Sequence, residues 1–348
     1  MAKSMKAMQL TKIVDLDAES EPLQLVDCLR PEAGAGQVRI RVTACGVCHT
    51  ELDEIEGRTA PPCLPVIPGH QVVGAIDQVG SGVHARRVGE RVGVAWIYSS
   101  CNQCLWCKTE RENLCPEFQA TGRDADGGYA EYIVVPEEST YLIPDAFSDI
   151  QAAPLLCAGA IGYRSLRLAR LEGESPLGLT GFGASAHLAL QLTRHFNPTR
   201  PVFVFARNPQ EREFARELGA AWTGDTDDQA PQLMQAIIDT TPAWRPVVKA
   251  LPQLEPGGRL IINAIRKLNT DRQLLAEIDY PRDLWMEKCI QSVANVSRRD
   301  VREFLQQAAE VPIQPTTETF PYHAANQALR ELKAGQIRGA KVLKFDSD

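Results

Sequence analysis

Cysteine and histidine are the first residues in this chain whose types and spacing could do chemistry. One run is Cys45-Gly-Val-Cys48-His49. A Cys-x-x-Cys-His run is the attachment signature of a c-type haem, and a bare Cys-x-x-Cys can be a redox pair. Cysteine and histidine together also suit a zinc site. The second run, "CNQCLWCKTERENLC", holds Cys101, Cys104, Cys107 and Cys115. Four thiolates this close in sequence can close a tetrahedron around one zinc, with Zn–S near ~2.3 Å. Such a set leaves no open coordination position, so it is a structural site. An iron–sulfur cluster is the competing reading, because Cys-x2-Cys-x2-Cys also occurs in ferredoxin-like runs. Those runs place the fourth cysteine sooner, although Pro116 echoes their Cys-Pro ending.

A third candidate is "GFGASA", which gives Gly181-x-Gly183-x-x-Ala186. It follows the apolar stretch "LGLTG" and opens "ASAHLALQLTRHF", which has helical spacing. That strand–turn–helix context is what a dinucleotide fingerprint needs. Its glycines permit a tight turn and a close approach to a pyrophosphate at the helix N-terminus.

Composition narrows the choice. At 348 residues the chain is long for one core, so two domains are expected. The apolar fraction of 44% and charged fraction of 23% are those of an ordinary soluble protein. A net charge of -7, with no basic block interleaved with aromatics, argues against a nucleic-acid surface. The N-terminal stretch has no signal-peptide core, and no run reaches the roughly 18 apolar residues of a membrane span. A cytoplasmic protein is expected. Haem attachment, which calls for export, then loses ground. Ten cysteines in a reducing compartment point to metal rather than to disulfides.

The elements that must position these groups change character along the chain. To about residue 155 the pattern is strand-like with glycine turns: "QVRIRVTAC" from Gln37, "GAIDQVG" from Gly74, and "GGYAEYIVV" from Gly127. From about residue 177, strands alternate with helices. "PVFVFA" precedes the helix "PQEREFARELGA", and "AIID" precedes a helix expected over Trp244–Leu254 and then "GRLIINAI". This order implies a parallel, doubly wound sheet. Helices near Arg299–Ala309 and His323–Leu332 and a last strand "AKVLKF" return to a mixed pattern.

The four-cysteine spacing resembles the structural zinc lobe of the zinc-dependent alcohol dehydrogenases, in the medium-chain dehydrogenase/reductase superfamily. The likeness runs from about residue 8 to the C-terminus, through "CGVCHTELD", "PVIPGHQVVG", "VGERVGVAW", "GGYAEY", "APLLCAG" and "LEPGGRLI" in the family's order. It implies an α/β protein of two domains. A mainly β GroES-like catalytic domain would span residues 1–158, with the zinc lobe at 100–116. A Rossmann coenzyme domain would span 159–295, and 296–348 would return to the catalytic domain.

The resemblance also implies a catalytic zinc held by Cys48, His70 and Cys157, with a fourth position open for water or substrate. Two thiolates and one neutral imidazole leave that site net neutral, a modest Lewis acid. Cys45 matches no ligand position. Thr50 matches the first hydroxyl of a proton relay, His49 a pyrophosphate contact, Glu51 a carboxylate that orients His70, and Trp96 a wall of the substrate pocket, with Tyr98 hinting at further aromatic lining. The reaction implied is reversible hydride transfer between an alcohol and the nicotinamide C4.

NAD-selective relatives end the second coenzyme-domain strand with an acid that binds the ribose hydroxyls. Counting back from "ELGA", that position is Ala206, followed by Arg207 and Asn208. Without the carboxylate, and with Arg207 to pair a 2′-phosphate, NADP(H) preference is expected. Four departures from the family pattern stand out. Asp53 replaces the usual last histidine of the relay. Gln71 replaces a glutamate after His70. Ala186 is the third fingerprint residue. Ala340 stands where relatives often carry a pyrophosphate arginine, with Arg338 and Lys341 as the nearby cations that could replace it.

The expectation is a zinc-dependent alcohol dehydrogenase/aldehyde reductase with two zincs per chain, acting on small, medium or aromatic primary alcohols as a homodimer or homotetramer. A secondary-alcohol or polyol dehydrogenase is the nearest alternative. A zinc-free quinone or enoyl reductase would lack the ligands. A non-catalytic zinc and dinucleotide-binding redox sensor is the alternative from another class.

Overall fold

The computed structural model describes residues 3–346. Two compact units account for them. One contains Cys157 and the described residues before it, Val296–Glu310, and the described residues from Gln314 onward. The other contains Ala158–Asn295 and Val311–Ile313.

The first unit is built on a mainly antiparallel seven-stranded sheet. Its strands run in the order Thr317–Pro321, Ala340–Lys344, Gln37–Val47, Val72–Val79, Arg91–Val94 and Thr140–Leu142, with Tyr132–Pro136 also paired to Gln37–Val47. Alternation along these strands sends Val38, Ile40, Val42, Ile76, Val92 and Ile133 into one apolar core. A separate hairpin-like pair, Ser4–Leu10 with Leu23–Leu29, adds Met8 and Leu10 to that core. At the far sheet edge the ammonium of Lys341 is buried between Glu318, at 2.6 Å, and Glu331, at 2.7 Å, over the ring of Phe320. That lysine is held inside its own sheet rather than presented to a ligand.

The second unit is a six-stranded parallel sheet. Its order is Trp222–Gly224, Val202–Phe205, Leu177–Thr180, Met234–Asp239, Leu254–Ile262 and Cys289–Ser292. Chain order therefore reverses between the Leu177 and Met234 strands, which makes that edge a topological switch point. Both faces are covered, as parallel sheets require. Val202 and Val204 pack with Leu190 and Phe214 on one side, whereas Phe203 and Phe205 pack with Val247 and Leu251 on the other. The helix expected over Trp244–Leu254 is shorter: α-helix covers Arg245–Ala250, a 3-10 turn follows, and Leu254 already begins the next strand. Pro252 has no amide hydrogen to continue the ladder, and Leu254 pairs with Met234 instead. Among the described residues, no helix is long and apolar enough to cross a membrane.

Candidate active site

Three chain segments converge on one point in the first unit. Gln37–Val47 and Val72–Val79 are antiparallel, with Cys45 opposite Val72. Cys48, just past the end of one, therefore lies beside His70, just before the start of the other. His70 is introduced by Gly69 at φ +100, a left-handed conformation in which a Cβ would strike the Tyr129 ring at 2.4 Å. Cys157 arrives on the short 3-10 turn Ala153–Leu156, whose Leu156 side chain packs close over Gly93 of the neighbouring strand.

The Sγ atoms of Cys48 and Cys157 and a ring nitrogen of His70 lie within 4.8 Å of one another. His70 Nε2 is 3.3 Å from Cys157 Sγ. A tetrahedral zinc would set that N···S edge at about 3.6 Å, so the donors fit the ion's size as well as its chemistry. His70 and Cys157 are buried, and Cys48 is half-buried.

Electrostatics prepare the set for a cation. The Cys48 thiol is held well below its usual range by a hydrogen bond from Cys157 and by His70, which favours a thiolate. Cys157 is raised well above its range by the same Cys48 contact and by burial. Burial opposes a charge on His70, but Glu51 and Cys48 overcome it and raise the imidazole. Glu51 itself is fully buried, and burial raises its carboxyl. Its Oε2 accepts the Cys48 N–H at 2.8 Å. Its Oε1 lies 2.6 Å from His70 Nδ1, an ion pair outside good hydrogen-bond alignment. One carboxylate thus fixes the backbone of one donor and the ring of another.

The helix His49–Ile55 carries the remaining groups. His49 is exposed at its start, and Thr50 is buried with Oγ1 3.5 Å from Cys48 Sγ. Asp53 is buried and paired with Arg58, and burial raises its carboxyl. Sequence reasoning missed Glu54. It is buried, neither carboxylate oxygen has a hydrogen-bond partner, and burial with Glu51 nearby raises it well above the carboxylate range. The signal was available: Glu54 is three residues after Glu51 on a short helix, hence on the same face. Gln71 is buried, its side chain lying over Gly46. Trp96 is buried and packs against Phe118 at a 4.5 Å centroid distance, the rings tilted by 34°. Cys45 is buried and unpaired.

The second cluster differs in kind. Cys101, Cys104, Cys107 and Cys115 bring their sulfurs together beyond the strand Ile97–Ser99. Three Sγ···Sγ separations are 3.5 Å (Cys115–Cys101), 3.6 Å (Cys104–Cys107) and 3.9 Å (Cys101–Cys107). A tetrahedral ZnS4 centre has edges of about 3.8 Å, so these sulfurs already stand at zinc spacing. Backbone N–H groups of Gln103 and Cys104 lower the Cys101 thiol to about 7, while burial pushes Cys107 up to about 12. The lobe is anchored by contacts the sequence did not reveal. Glu112 accepts the Arg298 N–H at 2.5 Å, and the Arg298 guanidinium reaches Glu138 at 2.8 Å.

In the second unit, Gly181 closes the Leu177–Thr180 strand at φ +76, with Thr240 so near that a Cβ would lie 2.8 Å from its hydroxyl. A Cβ on Gly183 would meet no atom within 4 Å, which leaves an open cradle above the helix Ala184–Phe196. Ala186 is buried, its side chain facing the sheet core. Arg207 is exposed just past the Val202–Phe205 strand.

Comparison with known proteins identifies the family. The alcohol dehydrogenase GroES-like domain family matches residues 34–145. A probable alcohol dehydrogenase of Mycobacterium tuberculosis is 40% identical over 98% of this chain and 97% of its own length. The chain belongs to the zinc-dependent alcohol dehydrogenase family. An alcohol dehydrogenase of Geobacillus stearothermophilus is 32% identical over 94% of this chain and 97% of its own. Among solved structures, a cinnamyl alcohol dehydrogenase from Sorghum bicolor superposes with a TM-score of 0.84 at 26% identity, covering 98% of both chains. As a member of this family the protein is an α/β oxidoreductase of the alcohol dehydrogenase class, with a GroES-like unit and a Rossmann unit.

Proposed function

We propose that this chain is a zinc-dependent alcohol dehydrogenase/aldehyde reductase for small, medium or aromatic primary alcohols, with NADP(H) preferred over NAD(H). The observation that carries the reading is the convergence of Cys48, His70 and Cys157 within 4.8 Å, with Glu51 braced between the first two. Three donors leave one tetrahedral position free, as catalytic zinc requires. When bound, zinc supplies a Lewis acid that polarises the oxygen of an alcohol or carbonyl. Cys48, His70 and Cys157 hold it, and their summed charge leaves the site neutral.

The chain's own groups do the rest. Glu51, 2.6 Å from His70 Nδ1, would orient the ring so that Nε2 meets the metal. The Thr50 hydroxyl, beside Cys48, is placed to take the proton of a substrate hydroxyl. Asp53 is held by Arg58 as a buried carboxylate, so bulk water is the next acceptor after Thr50. Trp96 offers an apolar wall to the substrate. Gly181, Gly183 and the helix start at Ala184 receive the pyrophosphate, His49 adds a basic contact, and Ala186 lets the helix pack close. Arg207 meets the 2′-phosphate. The four-cysteine lobe takes a second, structural zinc. We place the enzyme in the cytoplasm, as a homodimer or homotetramer.

Metal analysis combined with an aldehyde and alcohol panel tests this reading. The expected result is about two zincs per chain and turnover of primary alcohols, with higher kcat/KM for NADPH than for NADH. A fully zinc-loaded preparation that turns over no alcohol or aldehyde with either coenzyme overturns it.

A further inference from the structure

The turn after the second Rossmann strand holds an acid that the fingerprint position does not predict. Strand Val202–Phe205 is followed by Ala206, which is buried and apolar. No carboxylate projects from that point, where ribose-binding acids ordinarily sit. One returns from the next element. Glu211 lies in the first turn of the helix Pro209–Glu217, and its Oε2 accepts the N–H of Phe182, inside the Gly181–Gly183 turn, at 3.3 Å. The carboxylate thus bridges the helix and the phosphate-binding loop. Burial raises it, while the Phe182 N–H and Arg207 pull it the other way.

The neighbouring cations are unequal. Arg212 is engaged: its Nη1 donates to the carbonyls of Ala206 at 2.6 Å and Arg207 at 3.1 Å and pairs with Asp225 at 3.2 Å. It rigidifies the turn from below. Arg207 is exposed, and its charge acts on Glu211. The exposed cation Arg207 thus stands between the strand and the helix whose Glu211 carboxylate touches the loop.

We propose that Glu211 is a coenzyme-specificity residue of this enzyme. It replaces from the helix the acid missing at Ala206, hydrogen-bonds the adenosine ribose hydroxyls, and opposes a 2′-phosphate that Arg207 attracts. The inference rests on the reading that the second unit binds a nicotinamide dinucleotide with Arg207 at the 2′-position. The two side chains then set the NADPH/NADH ratio by opposition, and the chain keeps a usable affinity for NADH.

The test uses the zinc-loaded enzyme and the variants Glu211→Gln and Arg207→Ala. The glutamine keeps an oxygen for the Phe182 N–H, so the loop is preserved while the charge is removed. Two readouts are taken: dissociation constants for NADPH and NADH by fluorescence titration, and the ratio of kcat/KM for the two. Glu211→Gln is expected to raise the NADPH/NADH preference about tenfold in both readouts, in line with the usual size of a close charge interaction near a protein surface. A purely structural role would weaken both coenzymes alike and leave the ratio fixed, which overturns the proposal. An unchanged ratio in Glu211→Gln beside a reduced NADPH preference in Arg207→Ala overturns it too, while the reading of Arg207 stands. The converse, a shifted ratio in Glu211→Gln only, upholds Glu211 and overturns the role of Arg207.

Discussion

The two thiol-rich clusters of the first unit use the same chemistry in opposite ways. Cys101, Cys104, Cys107 and Cys115 come from one short surface segment, and they are mostly half-buried. Their four donors would fill the shell of one zinc. Cys48, His70 and Cys157 come from three distant segments, are braced by a fully buried glutamate, and number one too few. On the proposed reading the local cluster only holds a loop. On the same reading the dispersed one leaves a coordination position for chemistry, and its donors meet only when the sheet has formed. Removing a donor should therefore have different consequences in the two places.

The largest effect is expected from His70→Ala or Cys157→Ala. Losing the Lewis acid removes several kcal/mol of transition-state stabilisation, so kcat should fall on the order of 10³-fold or more. Zinc content should drop by one equivalent while the melting temperature changes little. A mutant that keeps most of its activity would break the comparison. Next, Cys107→Ser or Cys115→Ser should also remove one zinc, but the damage should be thermal. A loss of about 3 kcal/mol, a modest share of what a structural zinc contributes, lowers the melting temperature by roughly 10 °C. The folded fraction should retain kcat. If both kinds of variant lost activity equally without melting earlier, the division into working and stapling sites would be wrong.

A smaller effect is expected from Glu51→Gln, which leaves every ligand in place. Loss of the carboxylate behind His70 should reduce zinc affinity or kcat by about 10–100-fold. Competition with a chelator measures the first and steady-state kinetics the second. The smallest effect contrasts two buried histidines. His70 faces Glu51 and is raised, whereas His187 is fully buried without a carboxylate and is lowered to about 4. Its Nδ1 lies 3.2 Å from the Gly183 carbonyl and Nε2 has no partner. Unfolded, this histidine takes up a proton near pH ~6.5; folded, it resists until about 4. Its contribution to stability is therefore intact above pH ~6.5 and is lost progressively as pH falls toward 4, about 1 kcal/mol by pH ~5.5. Thermal melts of wild type and His187→Gln between pH ~7 and ~5 should diverge in that direction; parallel curves would remove the contrast.

Residues close in sequence were legible before the fold was known. The lobe cysteines read as a metal site because their spacing alone confines four sulfurs. Gly181, Gly183 and Ala186 read as a phosphate turn because strand, turn and helix are consecutive. Secondary structure was legible where periodicity ran uninterrupted, as in Ala184–Phe196 and Arg298–Glu310. It was overextended where a proline ended a helix, before Leu254. What could not be read were side chains whose meaning depends on a distant partner. Glu112 caps the amide of Arg298, 186 residues away. Lys341 looked like a spare cation near the C-terminus but is buried between Glu318 and Glu331. Glu211 looked like one of several helix acids until its oxygen met Phe182.

Sequence by itself determined the element order, the local cysteine cluster and the glycine turn between strand and helix. Through resemblance it also named the three dispersed donors. Tertiary structure alone decided that those donors meet, that Glu51 joins two of them, and that Asp53 and Lys341 are engaged elsewhere. The reason is physical. Propensity, periodicity and short-range ligand spacing act within a few residues along the chain. A buried charge or metal ligand acquires its role from whichever groups the sheet register brings within a few ångströms, and that register is set by the whole hydrophobic pattern at once.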